Sequence, residues 1–181
     1  MKKMLLAACA LLAMAGTARG DEISDYASVG HWDIVKGDSH CTSLGGYENG
    51  TLLAFSVNLG GDTWISVAHP KWKIPAGEYK VPARVDSVEL SDMTFVVEQD
   101  GSTRMTYNFQ MTETSYNFLT KGNVLSLNIG NTVYQYKLKD TSKMIPKLLE
   151  CIGSVAASAN PFHGQKPVAP VSTPENPFKR T

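Results

Sequence analysis

The chain has little charge and no surplus of either sign, which excludes partners that are bound mainly by electrostatic attraction. Charged residues make up 19% of the 181 residues, and the formal net charge at pH 7 is zero. Residues 19–159 contain 12 basic and 16 acidic side chains, so this part of the chain is mildly acidic. Such a chain lacks the basic surface that binds nucleic acid or an anionic membrane. We therefore expect no nucleic-acid partner.

Residue patterns of common active sites are also missing. There is no Gly-x-Ser-x-Gly elbow for a serine nucleophile, and Ser39-His40-Cys41 matches no known triad order. His40 stands beside Cys41, but no second cysteine or histidine follows at zinc-site spacing. The acidic residues between 86 and 98 alternate in a way that points most of them outward. We expect no metal, no cofactor and no enzymatic activity.

Long apolar runs are absent after the first residues of the chain. Met1-Lys2-Lys3 precedes the uncharged run Met4–Ala15, and small residues follow as far as Ala18. This is the pattern of a secretory leader, and a run of about a dozen residues is shorter than the roughly 20 that span a bilayer. We predict a signal peptide over residues 1–18, with Gly20 as the alternative cleavage site, and no transmembrane helix. The leader predicts a bacterial periplasmic protein, with release outside the cell or a lipid anchor on Cys9 as alternatives.

Only two cysteines, Cys41 and Cys151, remain after the predicted cleavage. Export places them in an oxidising compartment, where two cysteines more often pair than stay free. We predict a disulfide between them, while a free structural thiol and a metal ligand are the alternatives. A bridge over so long a loop removes roughly 4–5 kcal/mol of unfolded-chain entropy at most.

Alternating apolar and polar residues predict half-buried β-strands along most of the chain. The clearest alternations begin at Tyr79, Thr103 and Tyr134, and glycine-containing turns such as Gly60-Gly61-Asp62 and Gly130-Asn131 separate neighbouring segments. Pro82 interrupts one alternation, so that strand must lie at an edge or carry a bulge. The fold class is therefore all-β: an antiparallel β-sandwich or flattened barrel of about eight or nine strands.

One amphipathic helix is expected near the end of this domain. Met144, Leu148, Cys151 and Val155 recur at helical spacing after the capping side chains of residues 140–142. Pro146 then lies near the first turn, and Gly153 can end the helix. The predicted units are a polar lead-in over 19–29, a β domain with a terminal helix over 30–153 and a disordered tail over 154–181.

Two segments are candidates for contact with a partner. Between His69 and Gly77, prolines stiffen a loop in which Trp72 lies between Lys71 and Lys73. An exposed tryptophan on a rigid loop is a typical protein-binding anchor, although Trp72 folded back over the core is an alternative. In the tail, Phe162 and Phe178 each end an Asn-Pro-Phe triplet, which is either a short binding motif or part of a solvated linker.

Inward-facing aromatic residues allow a second interpretation. Tyr107, Phe109 and Tyr134 fall on the inner faces of predicted strands and most simply fill the core. The alternative is a lipocalin-like cavity for one small apolar ligand.

The order of these features resembles the invasion-associated locus B family of alphaproteobacterial envelope proteins. The likeness covers roughly residues 30–152 and rests on short segments: His31-Trp32-Asp33-Ile34, Cys41, Ile74-Pro75-Ala76-Gly77, Val85-Asp86, Lys121-Gly122 and Tyr136-Lys137-Leu138-Lys139 before Leu148-Leu149. The denser cysteine pattern of the family and its Gly-Phe at the last turn are absent here. The resemblance implies a periplasmic or surface accessory protein without known chemistry, and it transfers no site residues.

Together these features predict a secreted, non-enzymatic envelope protein that acts by protein–protein contact, in an accessory or host-interaction role. Its partner is unknown. The alternatives are a periplasmic carrier of a small apolar ligand and an inhibitor of a hydrolase such as lysozyme or a protease.

Overall fold

The computed structural model describes residues 23–90 and 92–159, which fold into two antiparallel sheets and two helices. The strands are β1 (Ser24–Val29), β2 (Trp32–Lys36), β3 (His40–Gly46), β4 (Leu52–Asn58), β5 (Thr63–Ala68), β6 (Gly77–Val81), β7 (Ala83–Val85), β8 (Val88–Glu89), β9 (Met93–Val97), β10 (Arg104–Phe109), β11 (Val124–Ile129) and β12 (Thr132–Lys137). The helices are α1 (Glu113–Lys121) and α2 (Thr141–Ala159). The all-β prediction with a C-terminal helix is confirmed, and α1 adds a second, shorter helix.

The larger sheet has eight strands in the order β1-β2-β3-β4-β5-β10-β9-β6, and the smaller has four in the order β12-β11-β7-β8. Short turns join most neighbours, as the sequence predicts. Gly61 and Gly130 adopt φ of 86° and 62° in two of these turns, a conformation that suits glycine because it has no Cβ.

Pro82 is the point at which the chain passes from one sheet to the other. β6 ends at Val81 as the edge of the larger sheet, and β7 begins at Ala83 in the smaller sheet. The carbonyl of Pro82 still accepts a hydrogen bond from the amide of Asn128, 2.9 Å away. The edge position is confirmed, but the one strand expected on both sides of Pro82 is in fact two strands, because a proline cannot donate to a ladder.

Helix α2 lies over β1–β4 and closes one half of the core. Trp32 is fully buried there, and its indole N–H donates to the carbonyl of Lys139 at 2.8 Å. A disulfide joins Cys41 in β3 to Cys151 in α2, with their Cα atoms 6.2 Å apart. The helix side chains that fill this half are fully buried: Met144, Ile145 and Leu148.

The ends of the predicted domain differ from the structure. The predicted polar lead-in, residues 19–29, contains regular structure. Ser24–Val29 forms β1, which pairs with β2 and has a bulge between Asp25 and Ala27. Helix α2 does not end at Gly153 but continues to Ala159, so the first part of the predicted tail is helical. Val155 is buried beyond that glycine, and the gain from its burial outweighs the modest helix penalty of glycine.

The opposite face of the larger sheet carries small hydroxyl side chains. Thr42 and Ser56 are hydrogen-bonded across β3 and β4 at 2.8 Å, and Ser66 and Thr106 across β5 and β10 at 3.0 Å. The register places half-buried Trp64 on this same face, opposite Ser56. This face is therefore distinct from the one that packs on α2 and the smaller sheet.

Candidate partner-binding site

Six aromatic side chains gather at the end of the sandwich where the β1–β2 turn, the β3–β4 turn and the segment after β5 lie. We call this group the aromatic band, and it consists of His31, Tyr47, His69, Trp72, Tyr134 and Tyr136. The antiparallel order brings the first three loops to one edge, while β12 supplies the two tyrosines from the smaller sheet. Residues far apart in sequence thus meet at this end of the sandwich, where Tyr136 is fully buried beneath the other rings of the band.

The rings of the band meet mainly edge to face, which is the preferred geometry of aromatic pairs. Tyr47 lies 5.8 Å from His31 and 5.1 Å from Tyr136 between ring centroids, with interplanar angles of 80° and 88°. Trp72 lies 5.5 Å from Tyr134 at 86° and 5.8 Å from His69. Such contacts hold the rings in fixed orientations.

Burial shifts the pKa values of three members of the band. Burial raises the pKa of Tyr136 to about 12 and also raises the pKa of Tyr47. Burial lowers the pKa of His31, which favours the neutral form of its imidazole. The Tyr47 hydroxyl donates to the carbonyl of Lys137 at 3.0 Å, whereas the buried Tyr136 hydroxyl has no hydrogen-bond partner among the residues that the structure describes.

Exposed lysines flank several members of the band along the chain. Lys71 and Lys73 are exposed beside Trp72, and Lys137 and Lys139 are exposed at the end of β12 and just beyond it. Glu48 is an exposed acid in the β3–β4 turn. The surface therefore combines an apolar centre with a basic rim, although the domain as a whole is mildly acidic.

The segment from His69 to Gly77 is held at several points along its length. The amide of Trp72 donates to the carbonyl of His69 at 3.0 Å, Ile74 forms a β-bridge with Ser102, and the amide of Ala76 donates to the Asp100 carboxylate at 2.7 Å. Trp72 is half-buried against the core cluster rather than fully projecting. The position of Trp72 therefore agrees better with the alternative in which its side chain folds back over the core. Lys71 and Lys73 are exposed on either side of it.

The other predicted residues are not part of this surface. Cys41 and Cys151 form the disulfide that joins β3 to α2, so their role is structural. Phe162 and Phe178, with their Asn-Pro-Phe triplets, lie outside the described residues, as does the predicted signal peptide with Cys9.

A separate groove of about 480 Å³ lies between the β7–β8 hairpin and α1. Its apolar lining comes mainly from Val85, Val88 and Phe118, and Asp86 and Lys121 border it. None of the three aromatic residues expected to line a ligand cavity takes part in it. Two of those, Tyr107 and Phe109, instead stack on each other with centroids 6.2 Å apart.

Asp86 at the rim of this groove has a conformational role. It adopts a left-handed φ of 53°, and its carboxylate accepts hydrogen bonds from the amides of Asn123 and Val124 at 3.1 and 2.9 Å. These bonds lower the pKa of Asp86, with the backbone bond from Asn123 as the largest cause. The carboxylate thereby joins the β7–β8 turn to the start of β11.

Over residues 23–90 and 92–159, no group of three or more histidine, cysteine, aspartate or glutamate side chains is arranged to hold a metal ion. Neither described helix combines the length and apolar character that crossing a membrane would require.

The sequence analysis missed most of the aromatic band. Tyr47 stands just before the Asn49-Gly50 turn, and His31 stands in the β1–β2 turn, so single residues in turns gave no periodic signal. Tyr134 and Tyr136 were assigned to core packing or, as the alternative, to the wall of a ligand cavity, and not to a contact surface. The available signal was that each turn at one sheet edge carries an aromatic residue, which becomes visible only when the strand order is known.

Comparison with known proteins gives a fold but no sequence family. No family model matches the chain, and no curated protein matches it in sequence. Among solved structures, the crystal structure of invasion associated protein B from Bartonella henselae matches with a TM-score of 0.50 and 14% identity, over 70% of this chain and 97% of that one. Because the identity is low, the likeness concerns the fold. It confirms the loose resemblance to the invasion-associated locus B family that the order of sequence features predicts: this chain has the fold of invasion associated protein B.

Proposed function

We propose that this chain is a secreted, non-enzymatic envelope protein that acts by protein–protein contact through the aromatic band. The observation that supports this proposal most directly is the fixed, half-buried Trp72 packed edge-on against Tyr134 and flanked by exposed lysines. Rigid aromatic side chains with a polar rim are typical of the residues that dominate binding energy at protein interfaces.

Export to the periplasm is part of the proposal. The N-terminal pattern of residues 1–18 is that of a cleaved leader, and the Cys41–Cys151 pair requires an oxidising compartment to form and persist. An accessory or host-interaction role fits such a place. The name of the structural neighbour points in the same direction, but it describes that protein alone.

The test is capture of a partner from the bacterial envelope with matched tryptophan variants. Trp72→Ala removes the centre of the band, whereas Trp64→Ala removes a tryptophan of similar burial from the opposite face of the larger sheet. We expect the wild type and Trp64→Ala to capture the same amount of partner. Trp72→Ala should capture at least tenfold less. Equal retention by both variants would reject the aromatic band as the contact surface.

The tail is tested in the same assay. A chain ending at Ala159 lacks both Asn-Pro-Phe triplets but keeps the complete helix α2. If this shortened chain retains the partner, the band is sufficient. If it loses the partner while Trp72→Ala retains it, Phe162 and Phe178 are the contact residues instead.

The groove beside α1 supports a second candidate function, the carriage of a small apolar ligand. Its volume of about 480 Å³ lies within the usual range of ligand sites, and its lining is mainly apolar. Native mass spectrometry of protein purified without detergent would show a bound ligand, and Val88→Asp should release it while leaving the aromatic band unchanged. Protein that carries no mass beyond the polypeptide would argue against the carrier.

A further inference from the structure

Strand β12 is an edge of the smaller sheet, and the directions of its backbone groups can be derived from the register. The two residues Gly130-Asn131 connect β11 to β12, and Ile129 pairs with Thr132 on either side of this turn. In a two-residue hairpin the flanking pair is hydrogen-bonded, and the direction of the backbone groups then alternates along the strand. Thr132, Tyr134 and Tyr136 therefore direct their backbone groups toward β11.

Val133, Gln135 and Lys137 consequently direct their amides and carbonyls away from the sheet. Two observations independently support this assignment. The carbonyl of Lys137 accepts the hydroxyl of Tyr47, which lies outside the hairpin. On β11, the amide of Asn128 donates to the carbonyl of Pro82, and the carbonyl of Val124 accepts from the amide of Asp86, so both face the β7 side. The alternate residues Leu125 and Leu127 therefore direct their backbone groups toward β12.

The outward groups of Val133 and Gln135 have no hydrogen-bond partner within residues 23–90 and 92–159. Val133 is 55% exposed, and Gln135 is also exposed. Tyr47 blocks the outward edge only at its Lys137 end. Two amides and two carbonyls thus stand open to solvent next to the aromatic band, since Tyr134 lies between them in the same strand and contacts Trp72.

The other sheet edges are protected in ways that β12 is not. β1 carries a bulge between Asp25 and Ala27, β8 has only two residues, and β6 runs directly into Pro82. Bulges, short strands and prolines are the usual devices that prevent strand pairing at an edge. β12 is six residues long and pairs with β11 without a register shift.

We propose that β12 receives an extended segment of the partner protein as an added strand, which rests on the proposed contact function of the aromatic band. The added strand pairs with Val133 and Gln135, and its alternate side chains face the Trp72–Tyr134 side and the Lys137 side. The partner segment therefore alternates apolar and acidic residues, with the apolar ones on the aromatic rings and the acidic ones near the lysines.

Charge argues against the chain's own residues 160–181 as the occupant of this edge. The chain's own residues 160–181 contain Lys166, Lys179 and Arg180 against Glu175, so this segment has the same sign as the rim. An acidic segment from another protein is the better match.

The experiment uses the full mature chain and a defined probe, an acetylated octapeptide in which glutamate and valine alternate. Amide hydrogen exchange is followed by NMR. In the free protein the amides of Val133 and Gln135 should exchange rapidly, whereas those of Tyr134 and Tyr136 should be protected. At saturating peptide, we expect at least tenfold slower exchange at Val133 and Gln135. The same peptide with lysine in place of glutamate serves as the charge control and should bind at least tenfold more weakly.

Two variants of one residue separate backbone pairing from side-chain contact. Gln135→Pro removes the outward amide without removing a bond to β11, and Gln135→Ala removes the same side chain but keeps the amide. Gln135→Pro should weaken peptide binding at least tenfold, and Gln135→Ala less than twofold. Equal binding by the two variants, or no protection of the Val133 and Gln135 amides by the peptide, would overturn strand addition. If Gln135→Pro fails to fold, the exchange measurement on the wild type decides alone.

The experiments distinguish a failure of strand addition at β12 from a failure of the proposed contact function. If Trp72→Ala loses the envelope partner but Gln135→Pro keeps it, the contact function stands and strand addition is wrong. If neither variant changes capture, the contact function is wrong. Concentration-dependent dimerisation that Gln135→Pro abolishes would assign the edge to a second copy and overturn the partner assignment.

Discussion

The two halves of the core are closed to very different degrees. Under α2, the packing side chains are almost completely buried, with Trp32 at 0% and Leu148 at 1% exposure, and a disulfide joins helix to sheet. Under the smaller sheet, many aromatic residues are only half-buried, such as Tyr107 and Tyr134, and edges and a groove remain open. Both halves contain fully buried side chains, such as Leu127 under the smaller sheet, but only the sheet-covered half presents the surfaces to which we assign the proposed partner contact.

The largest effect should follow from opening the disulfide. Its cysteines are 110 residues apart, and release of so long a loop should reduce the free energy of unfolding by about 4–5 kcal/mol. Urea denaturation of the oxidised protein and of the Cys41→Ala/Cys151→Ala variant measures the difference. Equal denaturation midpoints would show that the helix-covered half does not depend on this bond.

Truncation of the fully buried Leu148 under α2 should have a greater effect than truncation of the half-buried Tyr134 under the smaller sheet. Leu148→Ala leaves a cavity among fully buried residues and should lower stability by about 3 kcal/mol. Tyr134→Ala, at a half-buried position, should lower it by less than about 2 kcal/mol. Thermal unfolding of both variants checks this order, and a reversed order would contradict the contrast between the halves.

Two glycine-to-alanine substitutions should change stability in opposite directions. A Cβ at Gly122 would collide with the Val85 side chain and lie 2.5 Å from the Phe118 carbonyl oxygen, so Gly122→Ala should destabilise by about 2 kcal/mol. A Cβ at Gly153 in α2 would meet nothing within 4 Å, so Gly153→Ala should stabilise by up to about 1 kcal/mol. Denaturation midpoints measure both effects, and a destabilised Gly153→Ala would mean that the end of α2 is not helical.

The smallest effect concerns the acid dependence of the sheet-covered half. The folded state lowers the pKa of Asp86, so its contribution to stability is fully present above the unfolded value of about 3.9 and is lost as pH falls through the folded pKa. Asp86→Asn tolerates the left-handed backbone but lacks the charge. Its stability should therefore fall less steeply than that of the wild type below about pH 4. Parallel acid-limb slopes in thermal melts of the two proteins would contradict the role of the carboxylate.

The sequence predicted the elements whose periodicity agrees with their packing. The alternation of β10 and β12 and the spacing of Met144, Leu148 and Cys151 each carried a strong local signal. In each case the buried face could be read from residue type alone, since period and burial coincide.

Helix α1 was missed because its composition points away from a helix. Its residues include threonine, serine, asparagine and aromatics, which have modest helix propensity. The signal that was present is the cap: the Thr112 side chain accepts the amide of Ser115, and Glu113 lies in the first turn. Burial of Leu119 then favours the helix, and such tertiary packing is not visible in a sequence window.

The aromatic band and the open edge of β12 could not be predicted because both depend on strand order. Tyr47 and Trp72 become neighbours of β12 only when the chain turns at Pro82 into a second sheet. Sequence alternation shows which residues share a face of one strand, but it does not show which strands lie at an edge. The likeness to a solved structure therefore supports the predicted architecture but gives no information about the site.

The bond between Cys41 and Cys151 also determines what a single proteolytic cut can achieve. A single cut within the intervening 110 residues, for instance in the exposed stretch around Pro75, leaves both fragments covalently linked. A nicked molecule would migrate as intact protein on a gel until a reducing agent is added, and its two pieces would remain able to hold the fold together.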